Sequence, residues 1–278
     1  MDGADAKKYV GKAALVTGAA SGIGRSLAIH LVKNGARVIC CDVNSTAGQA
    51  VVDMLNKSLG STVAHFVKVN VSSWEEVSAA FTTAEEVLRT HVDFVFANAG
   101  ILGGKVCFPD EGRKPSTRMM EINFFGVMYT IQAAINHFRK HQCRGSVVAT
   151  ASIAGMYPLR PDPVYAASKH AVVGLIRSAA MRTEKEKIYI NAIAPAATES
   201  GMVGKSTIKE MNALGLATSM QNIMNAFDTF LTPECRLFGQ IAEPIGSSVN
   251  LIGYPLPGTL LCMLKRREEE ESERGSED

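Results

Sequence analysis

Short apolar segments alternate with segments of helix length along most of the chain, and this alternation constrains the fold more than any other feature. Six candidate strands are rich in β-branched or apolar residues: Ala13–Thr17, Arg37–Asp42, Ala64–Asn70, Phe94–Asn98, Ser146–Ser152 and Ile188–Ala194. Amphipathic segments lie between them at Arg25–Asn34, Ser45–Leu59, Trp74–Thr90 and Thr117–His141. Strands buried on both faces and separated by helices form parallel sheets. We therefore expect an α/β domain whose parallel sheet is flanked by helices.

The composition narrows the class of protein. The 278 residues carry a formal net charge of +2 and are 46% apolar and 20% charged, as in ordinary soluble globular proteins. Lys and Arg do not cluster before the last residues, so no nucleic-acid partner is expected. The N-terminus lacks the apolar core of a signal peptide, and no run reaches the ~20 apolar residues of a membrane helix. The six cysteines lack C-x-x-C spacing. These features predict a cytoplasmic protein with reduced cysteines and no membrane partner.

The chain contains no repeat or linker, so residues 1–264 are expected to form a single domain. From Glu199 onwards the sequence becomes rich in Met and small residues at helical spacing, with no strand. This segment is either a helix pair in the core or at an oligomer interface, or a lid over a pocket at roughly residues 198–232. Residues 265–278 are a run of charges and predict a disordered tail.

Three glycines, Gly18, Gly22 and Gly24, lie between the first strand and the first helix. Such glycines allow a tight turn, close approach of the backbone to a pyrophosphate, and close packing of the helix, whose N-terminal amides face the anion. The second strand ends in Asp42, which would accept hydrogen bonds from the ribose hydroxyls and repel a 2′-phosphate. Together these features predict a dinucleotide site. The alternative is three turn glycines and a surface aspartate.

NAD is the expected cofactor rather than NADP. Besides the acid at position 42, no Lys or Arg stands at Ser21, Cys41 or Val43, and Arg25 is the only base noted nearby. A 2′-phosphate would therefore meet a carboxylate without a cation beside it.

Tyr165 precedes Lys169 by four residues in an Ala- and Val-rich segment. On a helix these side chains share one face, so an ammonium lies near a phenol whose ordinary pKa is about 10. The positive charge favours the phenolate and makes the tyrosine usable as a base. The alternative is a buried tyrosine bonded to the backbone, with the lysine extending to solvent.

These motifs, taken with others in the same order, resemble the short-chain dehydrogenase/reductase family from about Lys12 to Ser200. The family's T-G-x-x-x-G-x-G motif matches Thr17, Gly18, Ala19, Ala20, Ser21, Gly22, Ile23 and Gly24. Its N-A-G motif matches Asn98, Ala99 and Gly100, its helix asparagine matches Asn123, and its serine matches Ser152, thirteen residues before Tyr165. The resemblance implies a single Rossmann-type, doubly wound sheet of seven strands that binds a nicotinamide cofactor.

The resemblance also implies roles for individual residues. Tyr165 would be the general acid/base, Lys169 would lower the pKa of that tyrosine and hold the ribose, and Ser152 would orient the substrate oxygen. Asn123 would anchor a water in a proton relay, although it could instead be a surface residue. Ser152 could instead be a cap or turn residue. The further cofactor contacts implied are Ser21, Ile23, Asn70, Val71, Asn98, Ala99, Gly100, Pro195, Thr198 and Ser200.

The sequence departs from the family pattern in two places. After the sixth strand, Ala196 replaces a glycine, which requires a turn without positive φ or a rearranged loop. Near the C-terminus the family's closing strand with its Gly-rich ending is not found, and only a short strand at Ser248–Gly253 is expected. Because that region supports the family's tetramer, a homodimer through the Asn123 and Tyr165 helices is the expected assembly, with a homotetramer as the alternative.

The segments expected to line the substrate pocket carry few charges, and an apolar wall does not compensate the burial of an ionised substrate. They supply Leu102, Val106, Phe108, Met156, Met202, Met211, Met220 and Met224. We therefore expect a hydrophobic secondary alcohol of terpenoid, steroid or lipid type, as in secondary metabolism, oxidised to its ketone with NAD. The alternatives are a non-catalytic cofactor-sensing protein on the same fold and a redox-neutral isomerase or cyclase that uses the same site. No histidine pair suggests a metal site.

Overall fold

The computed structural model describes residues 7–103, 116–160, 162–202, 204–213, 215 and 217–253. The strands are β1 (Ala13–Thr17), β2 (Arg37–Asp42), β3 (Ala64–Lys68), β4 (Phe94–Ala97), β5 (Gly145–Thr150), β6 (Ile188–Ile193), β7 (Ile241–Ile245) and β8 (Ser248–Ile252). The helices are α1 (Gly22–Lys33), α2 (Ser45–Leu59), α3 (Trp74–Leu88), α4 (Arg118–Met120), α5 (Gly126–His141), α6 (Pro163–Thr183), α7 (Lys205–Ala213) and α8 (Met220–Asp228). A π-helical segment, Glu121–Phe125, joins α4 to α5.

The strands form one sheet in the order β3-β2-β1-β4-β5-β6-β7-β8. All neighbours pair in parallel except β8, which runs antiparallel to β7. The expected Rossmann-like α/β fold is therefore confirmed. Because the chain crosses over between β3 and β4, the carboxyl ends of β1 and β4 flank a crevice, which is where open α/β sheets bind ligands.

Helices cover both faces of the sheet and bury two apolar clusters. On one face Phe81 of α3, Phe138 of α5 and Ile176 of α6 pack against the strands. On the other face Leu31 of α1 and Phe227 of α8 do so. The continuous burial of β1, β4, β5 and β6 agrees with their unbroken apolar sequences.

The C-terminal strands correct the expectation that the closing strand is missing. β7 (Ile241–Ile245) continues the parallel sheet beyond β6, and the short strand expected at Ser248–Gly253 is β8. The described sheet thus has eight strands rather than seven. Sequence reasoning missed β7 because it contains Glu243 and Pro244, which argue against a central strand. Pairing with β6 involves only Ile241 and Ala242, so the proline lies past the part of β7 that pairs with β6.

The segment from 198 to 232 was expected to be either a lid or a helix pair in the core or at an oligomer interface, and its second helix is in the core. Helix α8 belongs to the core, since Ile223, Met224 and Phe227 are almost fully buried against Leu27 and Leu31 of α1. Its N-terminus is capped by Ser219, whose side chain accepts a hydrogen bond from the Asn222 amide. A lid that includes α8 is therefore wrong. The expected tail, residues 265–278, lies outside the described residues.

Candidate active site

A cleft of about 1440 Å³ opens at the carboxyl edge of the sheet. It brings together almost all the site residues expected from the sequence. Its walls include Gly18, Ser21, Gly22, Ile23, Asp42, Asn70, Val71, Asn98, Ala99, Gly100, Ser152, Tyr165, Lys169, Pro195, Thr198 and Ser200. Two expected residues, Gly24 and Asn123, are not part of the walls. Gly24 packs closely against Gly18 and Asn98, and Asn123 is hydrogen-bonded to the backbone of Ile101, which lines the cleft.

The glycine turn leaves no room for a side chain at Gly18, Gly22 or Gly24. A Cβ at Gly24 would lie well inside contact distance of the Gly18 carbonyl oxygen and 2.5 Å from Asn98 Nδ2. Gly22 has a φ of +52°, and a Cβ there would lie 2.9 Å from the Ser200 carbonyl oxygen. The turn therefore places bare backbone at the N-terminus of α1, where unpaired amides favour an anion.

Asp42 is held with its carboxylate at the cleft. The Ala20 amide donates to Oδ2 at 3.0 Å and the Asn44 amide donates to Oδ1 at 2.9 Å. Each oxygen keeps a further lone pair for a ribose hydroxyl. Lys68 also lines the cleft and is the register partner of Asp42 across β2 and β3. Arg25 is therefore not the only base near this site, a point that depends on strand pairing and cannot be seen in the sequence.

Asn98 ties together the ends of three strands under the cleft. Its Nδ2 donates to the Thr17 carbonyl oxygen at 2.9 Å, and its Oδ1 accepts from the Thr150 hydroxyl at 3.0 Å. The Thr17 hydroxyl donates to the Phe96 carbonyl oxygen at 3.1 Å and accepts the Asn98 amide at 3.0 Å. Sequence reasoning matched Thr17 to the family's glycine motif without giving it a role and did not single out Thr150, because these contacts are made between strands.

Asn123 lies in the π-helical segment and is fully buried. Its side chain accepts from the Ile101 amide at 2.8 Å and donates to the Ile101 carbonyl oxygen at 2.9 Å. Its Nδ2 also reaches Ser168 Oγ at 3.2 Å. The alternative of a surface asparagine is thus wrong. The carboxamide fixes the backbone that follows Gly100, and π-helical turns are frequent where a side chain is needed at a functional site.

Lys169 is buried in the floor of the cleft. Its Nζ donates to the Thr150 carbonyl oxygen at 2.8 Å and lies 5.6 Å from the centroid of the Tyr165 ring. Burial lowers the pKa of Lys169 to about 8, so the ammonium predominates at neutral pH. Lys169 is only 3% exposed, so the alternative in which its side chain extends to solvent is wrong.

Tyr165 and Ser152 face each other beside the lysine. Burial raises the pKa of Tyr165, the hydrogen bond with Ser152 opposes that rise, and the negative charge of Asp162 adds to it. Lys169 was expected to lower the pKa of Tyr165. In the protein by itself burial is the largest effect, and the pKa is raised instead. Ser152 Oγ accepts the Ala154 amide at 3.2 Å, so it caps a short turn as the alternative required. The Ser152 hydroxyl also lies 3.4 Å from the Pro195 carbonyl oxygen, in addition to its hydrogen bond with Tyr165.

The loop after β6 accommodates alanine in place of glycine. Ala196 is not among the described non-glycine residues with positive φ, which are Arg89, Gln142 and Lys187. The Ala196 amide donates to the Thr218 hydroxyl at 3.2 Å, and that hydroxyl donates to the Pro244 carbonyl oxygen at 2.8 Å. The loop is therefore supported by the strand that sequence reasoning missed.

The expected apolar wall is present only in part. Leu102 and Met202 line the cleft and are 37% and 45% exposed. Met224 belongs to the core, and Met156 packs beside the other core cluster. Val106 and Phe108 lie outside the described residues. Ile101, the first residue of a segment expected to line the pocket (101–108), lines the cleft, and so does Ile122, which was not expected there.

A second cluster of titratable groups lies away from the cleft, where ligand atoms of Glu85, His137 and His141 lie within 4.8 Å of one another. His137 Nε2 accepts the Val92 amide at 2.9 Å, so the proton of the neutral ring must be on Nδ1, which bonds Glu85 Oε1 at 2.9 Å. Burial lowers the pKa of His137 and favours this neutral ring. Lys140 binds the other carboxylate oxygen at 2.6 Å. A nitrogen that carries a proton is not a metal ligand, so this cluster is a hydrogen-bonded charge network.

Comparison with known proteins agrees with the geometry of the cleft. A sequence model of short chain dehydrogenases matches residues 12–211. The chain belongs to the short-chain dehydrogenase/reductase family. The resemblance noted from Lys12 to Ser200 is thereby confirmed. Strands β7 and β8 of the sheet lie beyond the matched residues.

Relatives within the short-chain dehydrogenase/reductase family are similar over most of the chain. The short-chain dehydrogenase/reductase prx4 of Penicillium roqueforti is 34% identical over 227 residues, 79% of this chain and 64% of that protein, so the match spans less than two thirds of this relative. The (-)-trans-carveol dehydrogenase of Rhodococcus erythropolis is 32% identical over 206 residues, 69% of this chain and 73% of that protein. The crystal structure of a carveol dehydrogenase from Mycobacterium avium in complex with NAD is 25% identical with a TM-score of 0.76, covering 85% of this chain and 97% of that one.

Within the ranges that the structure describes, no helix of this family member is both long and apolar enough to cross a membrane.

Proposed function

We propose that this short-chain dehydrogenase/reductase uses NAD to interconvert a hydrophobic secondary alcohol and its ketone. The observation that carries the proposal is the convergence of Ser152, Tyr165 and Lys169 in a cleft that the glycine turn also lines. An acid/base group, a hydrogen-bond donor and a buried cation are what proton transfer at an alcohol oxygen requires.

The residues of the cleft fit a dinucleotide. The bare backbone at Gly22 and the N-terminus of α1 would hold the pyrophosphate. The free lone pairs of Asp42 would accept the ribose hydroxyls of NAD, and its negative charge would repel the 2′-phosphate of NADP. When bound, NAD supplies the hydride acceptor or donor, and its oxidised ring adds a positive charge that favours the phenolate of Tyr165.

The chain's own side chains then handle the proton. In the oxidising direction the Tyr165 phenolate removes the hydroxyl proton of the alcohol, and Ser152 donates a hydrogen bond that orients the same oxygen. The Lys169 ammonium, 5.6 Å from the tyrosine ring, opposes the cost of placing a phenolate in a buried site. In the reducing direction Tyr165 returns the proton to the developing alkoxide.

The substrate class rests on the apolar part of the cleft. Ile101, Leu102, Ile122 and Met202 line it, and the family relatives noted above include two carveol dehydrogenases. Apolar side chains favour a substrate without an ionised group. Carveol is a cyclic secondary alcohol of this kind and is therefore the first substrate to test.

The test is oxidation of carveol, lactate and a sugar alcohol with NAD, followed by the absorbance of reduced nicotinamide. We expect carveol to give the largest kcat/KM of the three. Turnover of lactate or the sugar alcohol in preference to carveol would contradict the substrate class. Conversion of a substrate without any change in the NAD concentration would instead identify the redox-neutral reaction.

The preference for NAD is tested by Asp42→Ala. Loss of the acceptor to both ribose hydroxyls should weaken NAD binding by about tenfold or more, because hydrogen bonds to charged groups contribute about 1.5–3 kcal/mol. NADP binding should become stronger, since the repelling carboxylate is gone and Lys68 stands beside it in register. Calorimetric titration with each cofactor measures both effects.

The double variant Asp42→Ala with Lys68→Ala is the matched control for that gain. If Lys68 pairs with the 2′-phosphate, its removal should abolish the new NADP binding without restoring NAD binding. An unchanged NAD:NADP ratio in Asp42→Ala would show that Asp42 does not contact the ribose.

A homodimer through α5 and α6 is part of the proposal. Phe125, the last residue of the π-helical segment before α5, is 40% exposed and stacks with Tyr129 of α5. Met181 of α6 is 47% exposed. Apolar side chains exposed on these two helices support an interface there.

A further inference from the structure

Asp162 is a buried carboxylate at the beginning of α6, three residues before Tyr165. It is 5% exposed, and its two oxygens have different partners. Oδ1 accepts the Tyr165 amide at 2.9 Å and thereby caps the helix. Oδ2 accepts the Gly103 amide at 3.0 Å, from a loop on the substrate side of the cleft. One side chain thus joins the helix of the acid/base residue to the loop 101–103.

The contact at Gly103 leaves no room for a larger residue. A Cβ there would lie 2.5 Å from Asp162 Oδ2 and would also collide with the methyl group of Met119. Two residues earlier, the Ile101 amide donates to Asn123 Oδ1 and the Ile101 carbonyl oxygen accepts from Asn123 Nδ2. The loop, all three residues of which line the cleft, is therefore fixed at one end by the π-helical segment and at the other by α6.

We propose that Asp162 is a positioning residue that locks the substrate-side loop 101–103 to the N-terminus of α6 and thereby sets the distance between the substrate wall and Tyr165. This rests on the proposed function, in which Tyr165 acts on an alcohol held against that loop. Asp162 is not part of the cleft wall, and it acts on the site through the backbone amides of Gly103 and Tyr165.

The same carboxylate has an electrostatic consequence for Tyr165. Lys169, one turn further along α6, lies 5.6 Å from the Tyr165 ring, Asp162 acts on the phenol through its charge, and Ser152 faces it from the turn after β5. After burial and the opposing bond from Ser152, the charge of Asp162 raises the pKa of Tyr165. Removing that charge should lower the pKa and move the pH at which the phenolate forms downwards.

Asp162→Asn tests both effects with almost no change in size. The amide oxygen can still cap α6 through the Tyr165 amide, but the amide nitrogen then faces the Gly103 N–H, so that hydrogen bond is lost. We expect the KM for the alcohol to rise about tenfold, as for loss of a hydrogen bond to a charged group. We also expect the rising limb of the kcat/KM profile for oxidation to move to lower pH.

Gly103→Ala separates the two effects, because it displaces the loop and keeps the charge. It should raise the KM and leave the rising limb of the pH profile in place. The double variant Asp162→Asn with Gly103→Ala should raise the KM by a smaller factor than the product of the two single increases, since both substitutions break the same contact. Additive effects would show that Asp162 and Gly103 act independently and would overturn the proposal.

Two measurements do not depend on turnover and therefore distinguish failure of this proposal from failure of the proposed function. Hydrogen exchange at the Gly103 amide should be slow in the wild-type protein and fast in Asp162→Asn. Ultraviolet titration of the phenol, taken as the difference from Tyr165→Phe, should shift to lower pH in Asp162→Asn. If neither changes, Asp162 is not the positioning residue, even where alcohols are oxidised.

Ser219→Ala is the control for general destabilisation. It removes a helix cap of the same kind from α8, outside the cleft wall. It should lower stability by about 1 kcal/mol and leave the KM, the pH profile and Gly103 exchange unchanged. If Ser219→Ala reproduced the effects of Asp162→Asn, loss of stability alone would explain them and the proposal would fail.

Discussion

Tyr165→Phe is expected to lower the rate of alcohol oxidation by about a thousandfold or more, in line with the 10²–10⁴-fold contribution of general acid–base catalysis and the loss of a proton path. The phenyl ring still fills the volume beside Lys169 and Ser152, so the fold and the cofactor site should be retained. Single-turnover kinetics with NAD and carveol measure the chemical step, and calorimetry measures NAD binding.

Tyr157→Phe provides the matched control for the tyrosine. Tyr157 lies eight positions earlier, is 53% exposed and does not line the cleft, so loss of its hydroxyl should leave both rate and binding unchanged. The result that would sink the mechanism is a Tyr165→Phe protein with normal turnover. A Tyr165→Phe protein that no longer binds NAD would mean that the hydroxyl serves the cofactor rather than the proton.

Gly24→Ala should have the largest effect on the glycine turn. The added methyl group would meet the Gly18 carbonyl oxygen and the Asn98 carboxamide, neither of which is the free end of a flexible side chain. Overpacking of this kind typically costs about 1–3 kcal/mol, and here it also displaces the backbone that faces the pyrophosphate. We expect lower stability in denaturant unfolding and no measurable NAD binding.

Gly174→Ala is the matched control, a glycine-to-alanine substitution that we expect to raise stability rather than lower it. Gly174 is exposed in the interior of α6, and a Cβ there would meet nothing within 4 Å. Alanine is favoured over glycine in a helix by about 0.5–1 kcal/mol, so stability should rise while NAD binding stays unchanged. If Gly24→Ala behaved like Gly174→Ala, the turn would not be as tight as its geometry indicates.

The sequence predicted the elements whose signals are local. β1, β2 and α2 begin and end where the pattern places them, because apolar runs are separated there by glycine or by capping residues such as Asn44. The grouping of the site residues was also predictable, since parallel strands bring their carboxyl ends to one edge of the sheet. In those parts of the molecule, local preference and the overall fold agree.

The features that sequence reasoning missed depend on partners far along the chain. One continuous helix was expected over Thr117–His141, but the π-helical segment forms where Asn123 turns its carboxamide to Ile101. Lys68 becomes a neighbour of Asp42 only through strand register, and Asp162 meets Gly103 across 59 positions of sequence. Asp42 and Asn123 were predicted as site residues, but these contacts carry no periodic or compositional signal and could not be predicted from the sequence.

The hydrogen bonds of Asn98 have a thermodynamic consequence for ligand binding. They join Thr17, Thr150 and the backbone of Gly18, so the floor of the cleft is preorganised by the protein itself. Because the floor is already ordered, the protein loses little conformational entropy there when a ligand binds, and the binding free energy carries little cost for ordering it. The entropic cost of binding then falls on the loops above, and cofactor affinity should depend more on those loops than on the strands that carry the site.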